Sequence, residues 1–197
     1  MTVKLNSVEN RCITTSTVGY MCLALTIWMA SMTNAGWYGK EYALGASLMI
    51  PMAVVLGVMG LLAHLRARSL DSVVFFGSAI LFWSYHSAAM GAPADQGPAS
   101  YIGWYMAMWA VFFGYVWLGS FRSAVPRQLF LLGAALTMLS FALEHWTGLA
   151  FFRYLGGYIG LIVALLAGFV SASGFINFGS EKTHSPNDDH IGQAHPA

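Results

Sequence analysis

Six long apolar runs separated by short polar links constrain this chain more than any other feature. They cover residues 17–35, 42–65, 72–90, 101–121, 129–150 and 154–178. Each is close to the ~20 residues an α-helix needs to cross the hydrocarbon core of a bilayer. Strands of a membrane barrel would instead alternate in polarity over about ten residues. Lipid offers no partner to a backbone N–H or C=O, so such runs must satisfy their hydrogen bonds as helices. The expected fold class is therefore an all-α membrane protein, a bundle of six transmembrane helices in a lipid bilayer.

Composition excludes the main alternatives. Hydrophobic residues make up 57% of the chain and charged residues 9%, against roughly 25% charged in a soluble protein. A net charge of +1 gives no basic field, so no nucleic-acid partner is expected. Cys12 and Cys22 lie in or near the first run without a CxxC pairing, which indicates neither a disulfide framework nor a zinc site.

Lysine and arginine placement sets the expected orientation. Lys4, Arg11, Arg66, Arg68, Arg122, Arg127 and Lys182 fall on one side; Lys40 and Arg153 fall on the other. Both termini are thus expected in the cytoplasm of a multi-pass cell-membrane protein. Residues 1–16 form a cytoplasmic N-terminal segment, 17–178 the transmembrane domain and 179–197 a disordered cytoplasmic tail. Lys4 and Arg11 followed by an apolar run resemble a signal peptide, but the run is long for one. Its removal would also break the charge alternation.

Small residues at helix-interface spacing, Gly156 and Gly160 in the sixth run and Ala53, Gly57 and Gly60 in the second, are expected to pack helices closely. Pro51 is expected to kink the second helix. Ionisable groups within the runs are few: His86 in the third, and Glu144 with His145 in the fifth. An intramembrane ionisable group marks a candidate site. All three sit near the outer ends, where with Asp95, Lys40 and Arg153 they suggest a vestibule able to exchange protons. Trp37, Trp104 and Trp146 suit the headgroup belt, whereas Trp28 and Trp83 lie deeper. No nucleotide loop, HExxH, nucleophile elbow or heme-binding pair is present. No catalytic residue, metal site or cofactor is therefore expected, and the chain reads as a non-enzyme. His184, His190 and His195 read as part of the solvated tail.

Several short patterns, taken in order, resemble one family. They are Gly19 and Thr26, then Thr33-Asn34-Ala35-Gly36-Trp37-Tyr38, then Gly60-Leu61-Leu62. Ser78 with Phe82-Trp83-Ser84 follows, then 105–119 with Trp109, Val111, Phe112 and Gly119, then Leu136-Thr137 and Gly156-Gly157-Tyr158-Ile159-Gly160-Leu161. Over roughly 18–178 the chain resembles the acetate uptake transporter family, which includes the acetate/succinate permeases. It departs from that family at 14–19, where the family carries asparagine-proline-alanine-proline, and at 51–56, where the family has paired glycines and a glutamine.

The resemblance implies a homo-hexamer with one solute path per chain and a small carboxylate as partner. It also implies an apolar constriction at Leu23, Ala79 and Leu136. Leucine and alanine stand there where the family has phenylalanine and tyrosine, which widens the waist. Thr26, Asn34, Ser78, Ser84 and Thr137 are the expected polar lining, and His86, Glu144 and His145 the expected proton-exchanging vestibule. The expected function is a channel or transporter for small monocarboxylates such as acetate, with proton symport. The alternatives are a urea- or amide-type channel for neutral solutes and a non-transporting sensor or assembly subunit. An integral membrane enzyme ranks last, because His86, Glu144 and His145 lack paired metal-ligand spacing.

Overall fold

The computed structural model describes residues 2–38, 44–91 and 99–183, with side chains at 16–38, 48–87 and 101–174. These residues form six helices and no strand: α1 (Thr2–Asn34), α2 (Leu44–Leu65), α3 (Ser69–Gly91), α4 (Ala99–Gly119), α5 (Val125–Thr147) and α6 (Ala150–Thr183). Lys40, Asp95 and the three tail histidines lie outside the described residues. α1 extends as one helix through the segment expected to precede the membrane, and α6 continues to Thr183, into the expected tail.

Five helices are long and apolar enough to cross a bilayer: Ser16–Asn34, Leu48–Leu65, Tyr101–Gly119, Val125–Thr147 and Ala150–Gly174. α3 is not among them over its described side chains, 69–87, which include Asp71, Ser72, Ser78, Ser84, His86 and Ser87.

Helix ends follow local chemistry. After α1, Gly36 adopts φ 80°. Its N–H bonds Thr33 O (3.2 Å), and Trp37 N–H bonds Met32 O (3.1 Å), the paired bonds of a Schellman cap. After α2 the same cap is built on Ala67, whose φ is 55°. There Ala67 N–H bonds His64 O and Arg68 N–H bonds Ala63 O, both at 3.0 Å. A left-handed alanine costs about 1–2 kcal/mol, so the turn that seats Arg68 at the start of α3 is held against strain. The fifth run was expected to reach residue 150, but Gly148 at φ 70° ends α5 through a bond to Glu144 O. α6 then starts two residues later, which places Arg153 inside it.

The helices pack as a ring in chain order, with α6 closing against α1; α3 and α4 meet most loosely. α1, α3 and α5 are alternate members of that ring; the backbones of α1 and α3 approach at only a few residues, and that of α5 stands apart from both. Side chains from these three helices therefore meet mainly across the interior. The ring's outside is apolar. On α4 the exposed residues Tyr101, Trp104, Met108, Val111, Tyr115 and Leu118 recur every three or four positions, one face of a helix. Such a face suits lipid or a neighbouring subunit, not water. The apolar exterior and the spanning helices define a multi-pass membrane protein.

Close approach is concentrated at α6. A Cβ on Gly157 would lie 2.4 Å from Ala35 N and 2.7 Å from Ala35 Cα, and one on Gly160 would meet Ser31 Oγ. Gly156 faces the opposite way, toward Phe141 and Ser140 of α5. Around Gly57, by contrast, nothing lies within 4 Å of an added Cβ. Gly157→Ala should therefore destabilise the fold by about 1–3 kcal/mol through overpacking. Gly57→Ala should stay within about 0.5 kcal/mol. Thermal unfolding in detergent checks the contrast.

Candidate functional site: an axial path

The interior is organised in layers, because α1, α3 and α5 each turn one stripe inward. On α1 the stripe runs Ser16, Tyr20, Leu23, Ile27; on α3, Asp71, Phe75, Ser78, Phe82; on α5, Arg127, Phe130, Ala134, Thr137. The steps of three and four residues keep each stripe on one helical face.

The first layer is ionic. Asp71, 3% exposed, receives hydrogen bonds from Ser16 Oγ and from Tyr20 OH, the latter at 3.4 Å. Arg68 Nη1 lies 3.5 Å from Oδ2 and Arg127 Nη1 lies 3.8 Å from Oδ1. Arg68 Nη1 also donates to Ser16 Oγ at 2.7 Å. One carboxylate thus joins α1, the start of α3 and α5.

The second layer is aromatic. Tyr20 meets Phe75 edge-on with ring centroids 5.3 Å apart, and Phe130 likewise at 5.7 Å. All three are essentially fully buried. Gly19 permits this seating: a Cβ there would strike the Phe75 ring. Each edge-on pair contributes about 0.5–1.5 kcal/mol beyond simple burial.

The third layer is a cavity of about 30 Å³, lined from five of the six helices. Its wall includes Ile27, Phe82, Phe113, Phe130, Met138 and Val163, with Ser78 and Thr137 as its hydroxyl-bearing residues. It has room for roughly two waters. Thr137 Oγ1 donates to Gly133 O at 2.9 Å, and the wall that the cavity presents is almost wholly apolar.

The expected lining residues are only partly brought together. Ser78 and Thr137 meet at the cavity. Thr26 is buried but donates to Cys22 O at 2.8 Å, and Asn34 donates to Ala30 O at 3.0 Å. Ser84 bridges α3 to α4 through Tyr105 OH at 2.6 Å, at the loosest joint of the ring. Leu23 and Ala79 are buried in the core. Leu136 is 44% exposed, so the structure does not gather the three expected constriction residues. One residue is about 100° of helix, and Thr137, not Leu136, lies on the inward face of α5.

His86, Glu144 and His145 are half-buried beyond the cavity, at the end opposite Asp71. Glu144 lies within electrostatic range of Tyr85, as does Tyr105. No metal-holding group of His, Cys, Asp or Glu occurs among the described residues.

Sequence reasoning missed the ionic layer and the aromatic plug. The signals were present: Asp71 follows Arg68 by three residues in the first turn of α3. Phe75 and Phe130 sit one turn beyond Asp71 and Arg127 on the same faces.

No protein-family model and no curated protein matches the chain. Among solved structures it is similar to the bacterial acetate channel SatP, with a TM-score of 0.80 at 18% sequence identity, over 87% of this chain and 97% of that one. At that identity the likeness establishes a shared fold.

Phe130→Ala should enlarge the cavity and remove half the aromatic plug. Lipid, unlike water, gives little reward for burying a ring, so the cost should be mainly the void, about 2 kcal/mol. Thermal unfolding in detergent measures it. A loss under about 0.5 kcal/mol would show that the plug is not packed as described.

Proposed function

We propose that the chain conducts small monocarboxylates such as acetate along its bundle axis, one path per chain. In this reading all six helices cross the cell membrane, both termini are cytoplasmic and the arginine-bearing end faces the cytoplasm. The exposed stripe on α4 meets lipid or neighbouring copies in a homo-hexamer. The carrying observation is a small, almost wholly apolar cavity on the axis, walled from five helices with Ser78 and Thr137 among its lining residues. The shared fold with an acetate channel adds support.

The cavity's chemistry bears on the transported species. A bare carboxylate in an uncharged apolar pocket pays a large desolvation cost. An undissociated acid needs one donor for its carbonyl and one acceptor for its hydroxyl. In the open state Ser78 supplies the donor and Thr137, its own proton committed to Gly133, the acceptor, once their hydroxyls turn toward the route; in this closed state the wall is almost wholly apolar. His86, Glu144 and His145 at the far end are the groups that exchange the proton with water, which makes transport proton-coupled. Leu23 and Ala79 narrow the route beside the aromatic plug, and Leu136 faces outward. At about 30 Å³ the cavity is smaller than an acid, so this is a closed state. Passage requires Phe82, Phe130 or Met138 to move.

The same donor and acceptor pair fits a neutral amide, which keeps the urea-type reading as the second choice. Proteoliposomes loaded with the protein should take up labelled acetate, and dissipating the proton gradient should reduce that uptake. Uptake of amide alone, indifferent to the gradient, would favour the second reading. No uptake of acetate, lactate, succinate or amide by correctly assembled protein would end both. Leu23→Trp, on the inward stripe of α1, should cut uptake by about tenfold or more by narrowing the route, with assembly of the variant checked by size-exclusion chromatography.

A further inference from the structure

We propose that Arg68 and Arg127 form a carboxylate-binding mouth at the end of the axis, and that Asp71 occupies it as a built-in competitor. The inference rests on the conduction reading for its biological sense, but the anion site itself stands on the ionic layer.

Two guanidiniums face one carboxylate, so the cluster carries an excess positive charge. The hydroxyls of Ser16 and Tyr20 hold Asp71. The arginines approach it only at 3.5 and 3.8 Å, longer than a good charge-assisted hydrogen bond of about 2.7–2.9 Å. Among the described residues Arg68 spends one N–H on Ser16 Oγ, and neither arginine makes a good charge-assisted bond to Asp71. Arg127 Nε is shielded from solvent and has no hydrogen-bond partner, an arrangement proteins seldom leave unexplained. Arg127 also lies over the Tyr20 ring, 5.6 Å from its centroid, which fixes the guanidinium beside the plug. Arg68 and Arg127 side chains are 34% and 27% exposed, so an anion from water can reach them.

Asp71 is hydrogen-bonded by two hydroxyls, with two guanidiniums beside it at ion-pair range. A solute carboxylate entering from this end meets the part-exposed guanidiniums of Arg68 and Arg127, and gains Arg127 Nε for bidentate binding only as Asp71 leaves and the cluster rearranges. It binds by displacing Asp71 from the same donors. Because Tyr20 belongs to both the cluster and the plug, exchange loosens Tyr20 from Phe75 and Phe130. Binding at the mouth is thereby linked to opening of the axis.

The test combines acetate uptake with acetate-induced thermal stabilisation in lipid-free detergent, using sodium acetate, chloride and phosphate as probes. Asp71→Asn should lower KM for acetate about tenfold and enlarge the acetate-induced shift well beyond that from chloride. Adding Arg127→Gln to that variant should abolish both changes. If Asp71→Asn does not fold, Arg127→Lys serves in its place. It keeps the charge but loses Nε and the fork, and should raise KM about tenfold and shrink the acetate shift. An unchanged KM and acetate shift in Asp71→Asn, or in Arg127→Lys where that variant is used, would overturn the proposal. So would equal shifts from acetate and chloride. A shift from phosphate with none from acetate would mark a site for phosphate or lipid headgroups, and would also overturn it. Absence of uptake by the unmodified protein would instead sink the conduction reading, while the stabilisation arm would still decide the anion site.

Discussion

Tyr20 is the point on which the interior depends. Its ring packs edge-on against Phe75 and Phe130, and its hydroxyl reaches the buried carboxylate of Asp71. Three helices that do not pack side by side around the ring are tied together through one phenol. Lipid supplies little hydrophobic drive for helix association, so contacts of this kind, with close glycine packing, must hold the bundle. Asp71 makes the arrangement specific. A buried carboxylate is tolerated only with its donors in place, and these come from α1, α5 and the turn before α3.

That turn shows how local chemistry serves the interior. The Schellman cap on Ala67 places Arg68 within reach of both Ser16 and Asp71. The start of α3, with Asp71 in its first turn, also presents backbone N–H groups favourable to negative charge. Ionic cap, aromatic plug and small cavity then follow in order along three parallel stripes. On the proposed reading, the anion is held at the mouth, and the cavity holds cheaply only the neutral acid, whose proton is exchanged with water.

Helix number and approximate boundaries were legible because hydrophobic length is a robust signal. The end of the first run at residue 35 agrees with the Gly36 cap that follows α1. Facing was harder. Apolar residues cover both sides of a membrane helix, so periodicity does not separate lipid from interior, and Leu136 and Thr137 look equally eligible. Asp71 was hidden for a different reason. Beside Arg66 and Arg68 it reads as part of a solvated link, and only the α1 and α5 partners reveal that it points inward. Gly148 likewise shortened α5 through a left-handed backbone that an apolar-run count does not register.

The most direct measurement of the axial path is thiol modification of single cysteines placed on α3 and α5 in a chain carrying Cys12→Ser and Cys22→Ser. The account predicts that a small thiol reagent blocks acetate uptake through Ser78→Cys and Thr137→Cys, with acetate slowing the reaction, and leaves uptake through Leu136→Cys unchanged. Block at position 136 with none at 78 or 137 would place the route elsewhere and contradict the layered interior as the conducting path.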